Sequence, residues 1–580
     1  MRTLRRRRES SGQLSMICAV LVAVIAAASG VQAQSTNGQI SGLVADSSGA
    51  AVLDAEVVAI NVATGISTTT KTNESGVYVL PQLLPGNYQI KVTKKGFGSS
   101  SRTGLVLRTG DKLALNFSLK PGTVQETVTV TATALLNADQ SATAQVLDNK
   151  MITELPQLNR NTLDLAGVTP AIQGQGPPAD QIATLGNASY FIANSGNSYS
   201  ISGGQVNGTN ISVDGNQVQD QEFNATNRSV PTPDEIGEFR VENGILTADH
   251  GRYSGGIISV NTQSGTNRYH GRLFEYFRNQ LLNSNQWVQN AATPLVPRQA
   301  FHQNNYGLTF GGPLNIPHVY SGKDRTFFFF GWEGERFNTS QNVISSVPTL
   351  LNRQGDFSQT IVNYQNGSPV YANIFDPFHG FNSGGNWVRP QYAQSKICSQ
   401  ADVSGGTCPA GNASLSLQSA LFANYLALWP LPNHAPAANS DHTGNYYSSI
   451  HTTRPTDRFF LRLDENIANN QRVNFSISRS NMTNSIPAPY FHGSGSVTTD
   501  LDWSGSLQYN WTVSPTSIFD AHLGFGVANL VSNGVSGWGA SPDPNIDTSK
   551  WPFDPLIINN PAKTTLHIPP GISIGGFNGV

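Results

Sequence analysis

Between residues 471 and 480, Val473, Phe475 and Ile477 alternate with Arg472, Asn474, Ser476 and Ser478, so one face of an extended segment is apolar and the other polar. The pattern recurs twice. Trp503, Leu507, Tyr509, Trp511 and Val513 alternate with Ser504, Ser506, Gln508, Asn510 and Thr512, and Phe519, Ala521, Leu523, Phe525 and Val527 with Asp520, His522, Gly524 and Gly526. Runs of about 10 residues with this alternation and with interfacial aromatics are the pattern of transmembrane barrel strands. A soluble sandwich also alternates, but its apolar side faces a core and its strands run nearer ~6 residues. Connection lengths favour the barrel. Short turns such as Ser514-Pro515-Thr516-Ser517 alternate with long connections over 280–301, 338–456 and 481–502.

Strands are expected at 271–279, 304–311, 325–337, 457–465, 471–480, 503–513 and 518–530. That is an odd count, whereas bacterial single-chain barrels have even numbers, and an open sheet leaves unpaired backbone groups in lipid at several kcal/mol each. The expectation is that these strands do not close by themselves. Residues 530–580, rich in Pro, Asn and Gly, read as an extracellular loop, and the chain reads as the N-terminal part of a longer protein.

Composition agrees. The 580 residues are 38% hydrophobic and 12% charged with a net charge of -2, too long for one core and too weakly charged for a disordered or nucleic-acid-binding polyelectrolyte. The 56 Gly and 4 Met suit a turn-rich β protein. Arg5, Arg6, Arg7 and Arg8, an apolar stretch at 16–28 and Val31-Gln32-Ala33 form an export signal over 1–33. The alternative, a membrane anchor, needs an apolar core of ~20 residues. Once Cys18 is removed with the signal, Cys398 and Cys408 are the remaining cysteines, and in an oxidising compartment they are expected to form a disulfide. The alternative, metal binding, lacks a nearby His pair, so no metal or cofactor is expected.

From residue 39 to 119, short strands at 39–45, 55–61, 66–72, 77–80, 88–93 and 113–119 are separated by turn signals such as Asp46-Ser47-Ser48-Gly49 and Pro85-Gly86-Asn87. GLVADSSGAAVLDAEV and TNESGVYVLPQLLPGNYQIKVTKKGF resemble the carboxypeptidase regulatory-like domain, a transthyretin-like β-sandwich, here over 37–120. The name does not imply peptidase chemistry, because none of the 11 His has a Glu three residues on. A spacer or a carbohydrate-binding module is the implied role.

Residues 135–267 change character. A helical patch is expected at 147–165, and Gly- and Asn-rich short strands follow. Asp214, Asp220, Asp234 and Glu235 lack the spacing of a calcium loop and read as solvated turn residues. Glu-Phe-Arg-Val (238–241), Gly-Gly-Ile-Ile-Ser-Val-Asn-Thr (255–262) and Ser-Gly-Thr-Asn (264–267) resemble the end of the plug domain of TonB-dependent outer-membrane transporters, in particular the Oar-like group. The resemblance implies a mainly β chain: sandwich, a linker at 122–134, a mixed plug at 135–267, and the first part of an antiparallel transmembrane barrel at 268–580. Family barrels have about 22 strands.

It also implies a role for Glu126, Thr127, Val128, Thr129, Val130, Thr131 and Ala132, which look like the TonB box, a strand lacking a partner in its own chain that the periplasmic protein TonB grips by β-augmentation. The alternatives are the sandwich's last strand or a plain linker. Implied partners are TonB with its inner-membrane energising complex, outer-membrane lipid, and a ligand such as a siderophore or oligosaccharide, held by plug apices and loops with aromatics such as Trp387 and Tyr392. The implied function is energised import without enzymatic activity, and the alternative is a surface adhesion or structural protein. No serine-nucleophile elbow, zinc helix or phosphate loop occurs.

Overall fold

The computed structural model describes residues 37–122, 128–131, 143–157, 160–170, 172–173, 200–205, 208–218, 230–243, 255–285, 287–291, 298–418, 429–436, 444–486, 494–514 and 517–536. The export signal at 1–33, Asp220, and the expected loop beyond 536 lie outside them.

The first unit is a sandwich. Strands β1 (Gly38–Asp46), β4 (Val77–Leu83), β7 (Lys112–Ala114) and β8 (Phe117–Leu119) form one sheet; β2 (Glu56–Asn61), β3 (Ser67–Lys71), β5 (Gly86–Thr93), β6 (Ser100–Leu107) and β9 (Val128–Thr131) form the other. Period-2 alternation sends Tyr88, Ile90 and Val92 of β5 inward against Ile40, Val44, Tyr78, Leu80, Leu105 and Phe117. The Tyr78 hydroxyl donates to the Leu115 carbonyl at 2.8 Å, so its burial leaves no polar cost. Two details differ from the sequence reading. β6 was not expected, because its polar first half (Ser-Ser-Arg-Thr) hides the pattern. The segment at 113–119 is split, β7 pairing with Gln39–Ser41 and β8 with Val44–Asp46. At the split the Leu115 carbonyl lies over Gly42, where any Cβ would collide with it.

The second unit is a five-stranded mixed sheet in the order β10 (Thr143–Asp148), β15 (Ile236–Asn243), β16 (Ile257–Thr262), β13 (Asn210–Val213), β14 (Asn216–Gln217); a small pair, β11 (Ile172–Gln173) and β12 (Ser200–Ile201), lies beside it. Its core joins Leu147, Ile152, Leu163, Phe239, Val241, Ile258 and Val260. The expected helix at 147–165 shrinks to Asn149–Glu154 and a 3-10 turn at Thr162–Val168. Asp148 caps the first by accepting from the Met151 N–H at 2.8 Å, and Pro156 forces Leu155 into an extended conformation that ends it.

The third unit is one antiparallel meander of seven strands: β17 (His270–Asn279), β18 (Phe301–Pro313), β21 (Thr326–Ser345), β26 (Tyr446–Ala468), β27 (Gln471–Ile486), β28 (Ser494–Ser514) and β29 (Ser517–Ser536). All seven expected strands are present, most of them longer than expected. The 23 residues of β26 span ~75 Å at about 3.3 Å per residue, well beyond a ~30 Å hydrocarbon layer. A small hairpin, β19 (Asn315–Ile316) and β20 (Tyr320–Ser321), closes the turn between β18 and β21. The long connection from β21 to β26 carries hairpins β22 (Ile361–Gln365) with β23 (Ser368–Tyr371), and β24 (Phe381–Ser383) with β25 (Asn386–Val388). Cys398 and Cys408 are joined there as a disulfide.

Burial on the meander is the reverse of a soluble sandwich. Asn474, Ser476, Ser478, Asp502, Ser506, Gln508 and Asn510 are buried, Ser476 and Gln508 against Asp214 of the second unit, while Leu507, Phe519, Leu523, Phe525 and Val527 are exposed. The polar face is turned toward the second unit, which occupies the place expected of the plug, and the apolar face looks outward, as a lipid-facing barrel wall requires. Leu523→Arg is therefore expected to cost ~2–4 kcal/mol near the bilayer midplane. It should deplete the urea-resistant, membrane-embedded protein by about tenfold or more, whereas Leu523→Phe should not; equal recovery of both would place this face away from lipid.

Candidate functional site: the interface of plug and barrel

Two buried ionic clusters tie the plug to the barrel wall. The first is built on the tight turn between β13 and β14. Asp214, at φ +49°, points its carboxylate back at β16, where Oδ1 accepts from the Thr262 N–H at 2.9 Å and Oδ2 from the Thr262 hydroxyl at 2.8 Å. From the wall, Arg462 of β26 reaches Asp214 Oδ1 at 3.2 Å and Asp464 Oδ1 at 2.9 Å. The Ser264 hydroxyl donates to Asp464 Oδ2 at 2.6 Å, and Asn474 donates to the same carboxylate. Ser476 donates to Asp214 Oδ2 at 3.3 Å, and Gln508 to the Asp214 carbonyl. Asp214, Arg462 and Asp464 are each less than a tenth exposed.

The second cluster gathers around Arg160, which is at φ +51° just before the 3-10 turn. Its Nη2 lies 2.6 Å from Asp234 Oδ2 and 2.8 Å from Glu333 Oε2 of β21. Its guanidinium sits 4.2 Å from the Tyr276 ring centroid and 4.9 Å from that of Phe274 on β17. Burial works against its charge, but Glu333 and Asp234 outweigh it and hold the guanidinium above its ordinary pKa. Arg272 takes Asp234 Oδ1 at 2.6 Å, Asn305 donates to Glu333 Oε1 at 3.0 Å, and Arg454 pairs with Glu335 at 2.9 Å.

Glu235 sits between these groups, near enough to Arg458 to feel its charge, and among the described residues it forms no ion pair. Its Oε2 accepts from the Thr232 N–H at 2.8 Å in a capping box, and among the described residues its Oε1 has no hydrogen-bond partner. The carboxyl packs over Gly331, where any side chain would displace it. Burial pushes its pKa up to about 7; the Thr232 hydrogen bonds oppose that rise and the Glu333 charge reinforces it.

These geometries correct the reading of Asp214, Asp234 and Glu235 as solvated turn residues. They do lie at turns, but each is less than a tenth exposed. Their partners Arg462, Asp464, Glu333, Glu335, Arg160, Arg272 and Arg454 were not singled out from sequence. A signal was present: in Arg-Phe-Phe-Leu-Arg-Leu-Asp (458–464) the charges share a face with Phe460 and lie opposite Phe459, Leu461 and Leu463, and Glu333 and Glu335 share one face of their strand; in a membrane strand a charged face must look inward.

The expectation that the Val128–Thr131 strand lacks a partner in its own chain is also corrected. β9 pairs in parallel with β6, Ser100↔Val128 through Thr103↔Thr131. Glu126, Thr127 and Ala132 lie outside the described residues. In the long connection, Tyr392 is core, 2% exposed with its hydroxyl donating to the Ser416 carbonyl at 2.6 Å, whereas Trp387 is exposed. Asp376, His379 and Ser416 come together nearby, but Asp376 Oδ2 at 2.7 Å and the Ser416 hydroxyl at 3.3 Å both meet the same nitrogen, Nδ1 of His379. A nucleophilic triad places its serine on the other ring nitrogen, so this group is a loop staple. Among the described residues no cluster of three or more His, Cys, Asp or Glu could hold a metal ion.

A transmembrane wall with an inward polar face and a folded plug ion-paired to it defines an outer-membrane receptor. The chain belongs to the outer membrane beta barrel domain family, which matches residues 261–579, and residues 39–120 match the carboxypeptidase regulatory-like domain. The chain is that of an Oar-like TonB-dependent receptor, and the protein is placed in the outer membrane. Over 267 residues it is 25% identical to the TonB-dependent transporter Oar of Myxococcus xanthus, a match covering 46% of this chain and 23% of that protein. The ferric enterobactin receptor PfeA of Pseudomonas aeruginosa is similar at 12% identity and a TM-score of 0.34, over 67% of this chain and 42% of that one. The siderophore receptor PirA of Pseudomonas aeruginosa is similar at 11% identity and a TM-score of 0.28, over 70% of this chain and 51% of that one.

Arg462→Met leaves Asp214 and Asp464 buried without their cation, and should weaken plug seating by about 3–5 kcal/mol. The urea concentration at which protease reaches the plug should fall, and Asp214→Asn added to Arg462→Met should restore part of it; strict additivity would show that the pair is not coupled. Glu235 sets a pH dependence. Its folded pKa lies above the unfolded value, so between about 4.3 and 7 the folded state binds more protons and stability falls as pH rises, by up to ~3 kcal/mol, then levels off. The urea threshold should be higher at pH 5 than at pH 8, and Glu235→Gln should shrink the difference; an unchanged difference would mean that other groups carry it.

Proposed function

We propose that this protein is an active importer: it binds a bulky ligand on the outer face and passes it inward when TonB, driven by the inner membrane, displaces the plug. In this reading residues 37–120 form the sandwich, 122–134 the TonB-contacting linker, 135–267 the plug and 268–580 barrel wall. The observation that carries it is the chemistry of the plug seat. An open pore needs no plug, and a permanent seal is better made of apolar residues. Buried ion pairs such as Asp214–Arg462 and Arg160–Glu333 hold tightly while dry and lose most of their strength when water enters. That is the behaviour of a seat meant to be broken by force.

Two similar solved structures are a ferric enterobactin receptor and a siderophore receptor. A siderophore or an oligosaccharide is the proposed cargo, and the proposed role is not enzymatic. Val128→Pro removes a backbone donor from the strand offered to TonB and should abolish both capture of a purified TonB periplasmic domain and energy-dependent ligand accumulation. Undiminished capture would refute the assignment, whereas capture without accumulation of any ligand would favour a surface adhesion role.

A further inference from the structure

β9 is the terminal strand of its sheet, in the order β3-β2-β5-β6-β9. One of its edges is used by β6. Among the described residues no strand pairs with the other. The platform beneath it is fixed. β6 runs directly into the turn Arg108-Thr109-Gly110-Asp111, and that turn is gripped by the plug. The Thr109 N–H donates to Glu238 Oε2 at 2.7 Å, its hydroxyl bonds Glu238 and Asn261, and Arg240, 2% exposed, donates to the Thr109 carbonyl and pairs with Asp111 at 3.3 Å. The sandwich is also tied to the barrel. Arg472 donates to the Gln82 carbonyl at 2.9 Å and Gln82 to Asp520 at 3.3 Å, and at the plug's last residue the Asn267 N–H donates to the Ala63 carbonyl at 3.1 Å.

We infer that β9 is a shared strand: an edge strand of TonB adds to its open side as the sixth strand of the sandwich sheet, with β9 still paired to β6. This rests on the reading of Val128–Thr131 as the TonB contact and gives the sandwich a function. Two arguments favour sharing over release. Release breaks the β6 ladder before any partner bond forms, whereas addition to an open edge breaks nothing. The β6 ladder also holds Val128–Thr131 extended, so the ordering cost of β-augmentation is already met within the chain. Tension on the partner strand then loads the β6–β9 ladder lengthwise without breaking it, and β6 passes the load through Thr109 to Glu238 on β15 and Asn261 on β16. The sandwich is a coupling between TonB and the plug sheet.

The test locks the ladder. In the full chain held in outer-membrane vesicles, Ser101→Cys with Thr129→Cys places a cysteine at each position of a register pair, and Ser100→Cys with Val128→Cys is the neighbouring pair. The probe is the purified periplasmic domain of TonB. The parent is carried through the same oxidation and reduction, which controls for the Cys398–Cys408 disulfide. Sharing predicts that the crosslinked chain binds within about threefold of the parent. A loss of about tenfold or more that reduction reverses would overturn it, because β9 would then have to leave β6. Failure of both pairs to crosslink would overturn the pairing on which it stands. If Val128→Pro binds as well as the parent, the partner reading itself falls, and sharing with it.

Discussion

Arg462 cannot be solvated where it sits. It projects from the wall of a lipid-facing sheet into a space filled by the plug, and a lone guanidinium there would be untenable. Two carboxylates answer it, Asp464 from its own strand and Asp214 from the plug, and each of those is completed by hydroxyl or amide donors. The requirement runs in both directions: the wall strand needs the plug's carboxylate, and the turn carrying Asp214 is oriented by the wall. The position of the plug is therefore set by charge satisfaction rather than by apolar packing. Its apolar core is spent internally, among Phe239, Val241, Ile258 and Val260.

The division between legible and illegible follows the range of each interaction. Strand positions in the wall were legible because alternation is local. Their lengths were not, because the outer half of β26 (Tyr446 to Pro455) is polar on both faces beyond the lipid, where no alternation is needed. The acidic turns were visible as turns, but turn chemistry gives no hint of burial. What buries Asp214 is an arginine 248 positions away, and that separation leaves no mark on a local pattern. β6 was hidden for a related reason: its half-polar sequence is a sheet member only because β5 and β9 flank it. The short parallel pairing of β9 is the hardest case, since four residues carry too little pattern to name their neighbour.

β16 shows why the three units respond as one. Its last residues face opposite neighbours: Asn261 donates to Thr109 of the sandwich, while Thr262 binds Asp214 and accepts from Arg462 of the wall. Adjacent residues on a strand point to opposite sides, so a single two-residue step carries contacts to the sandwich and to the barrel. A shift of β16 that loosens one contact must strain the other.

That arrangement also accounts for the position of Glu235. The strand β15 that follows it carries Glu238 and Arg240 toward the sandwich turn, while Asp234 before it is bound by Arg160 and Arg272. The Glu235 carboxyl, its pKa raised by burial, thus sits between the contact with the sandwich turn and the ionic seat. Neutral Glu235 is compatible with the dry, closed seat. In the proposed displacement of the plug, water reaching Glu235 would remove the burial that raises its pKa, and its charge would stand beside Glu333, whose cations are Arg160 and Arg458.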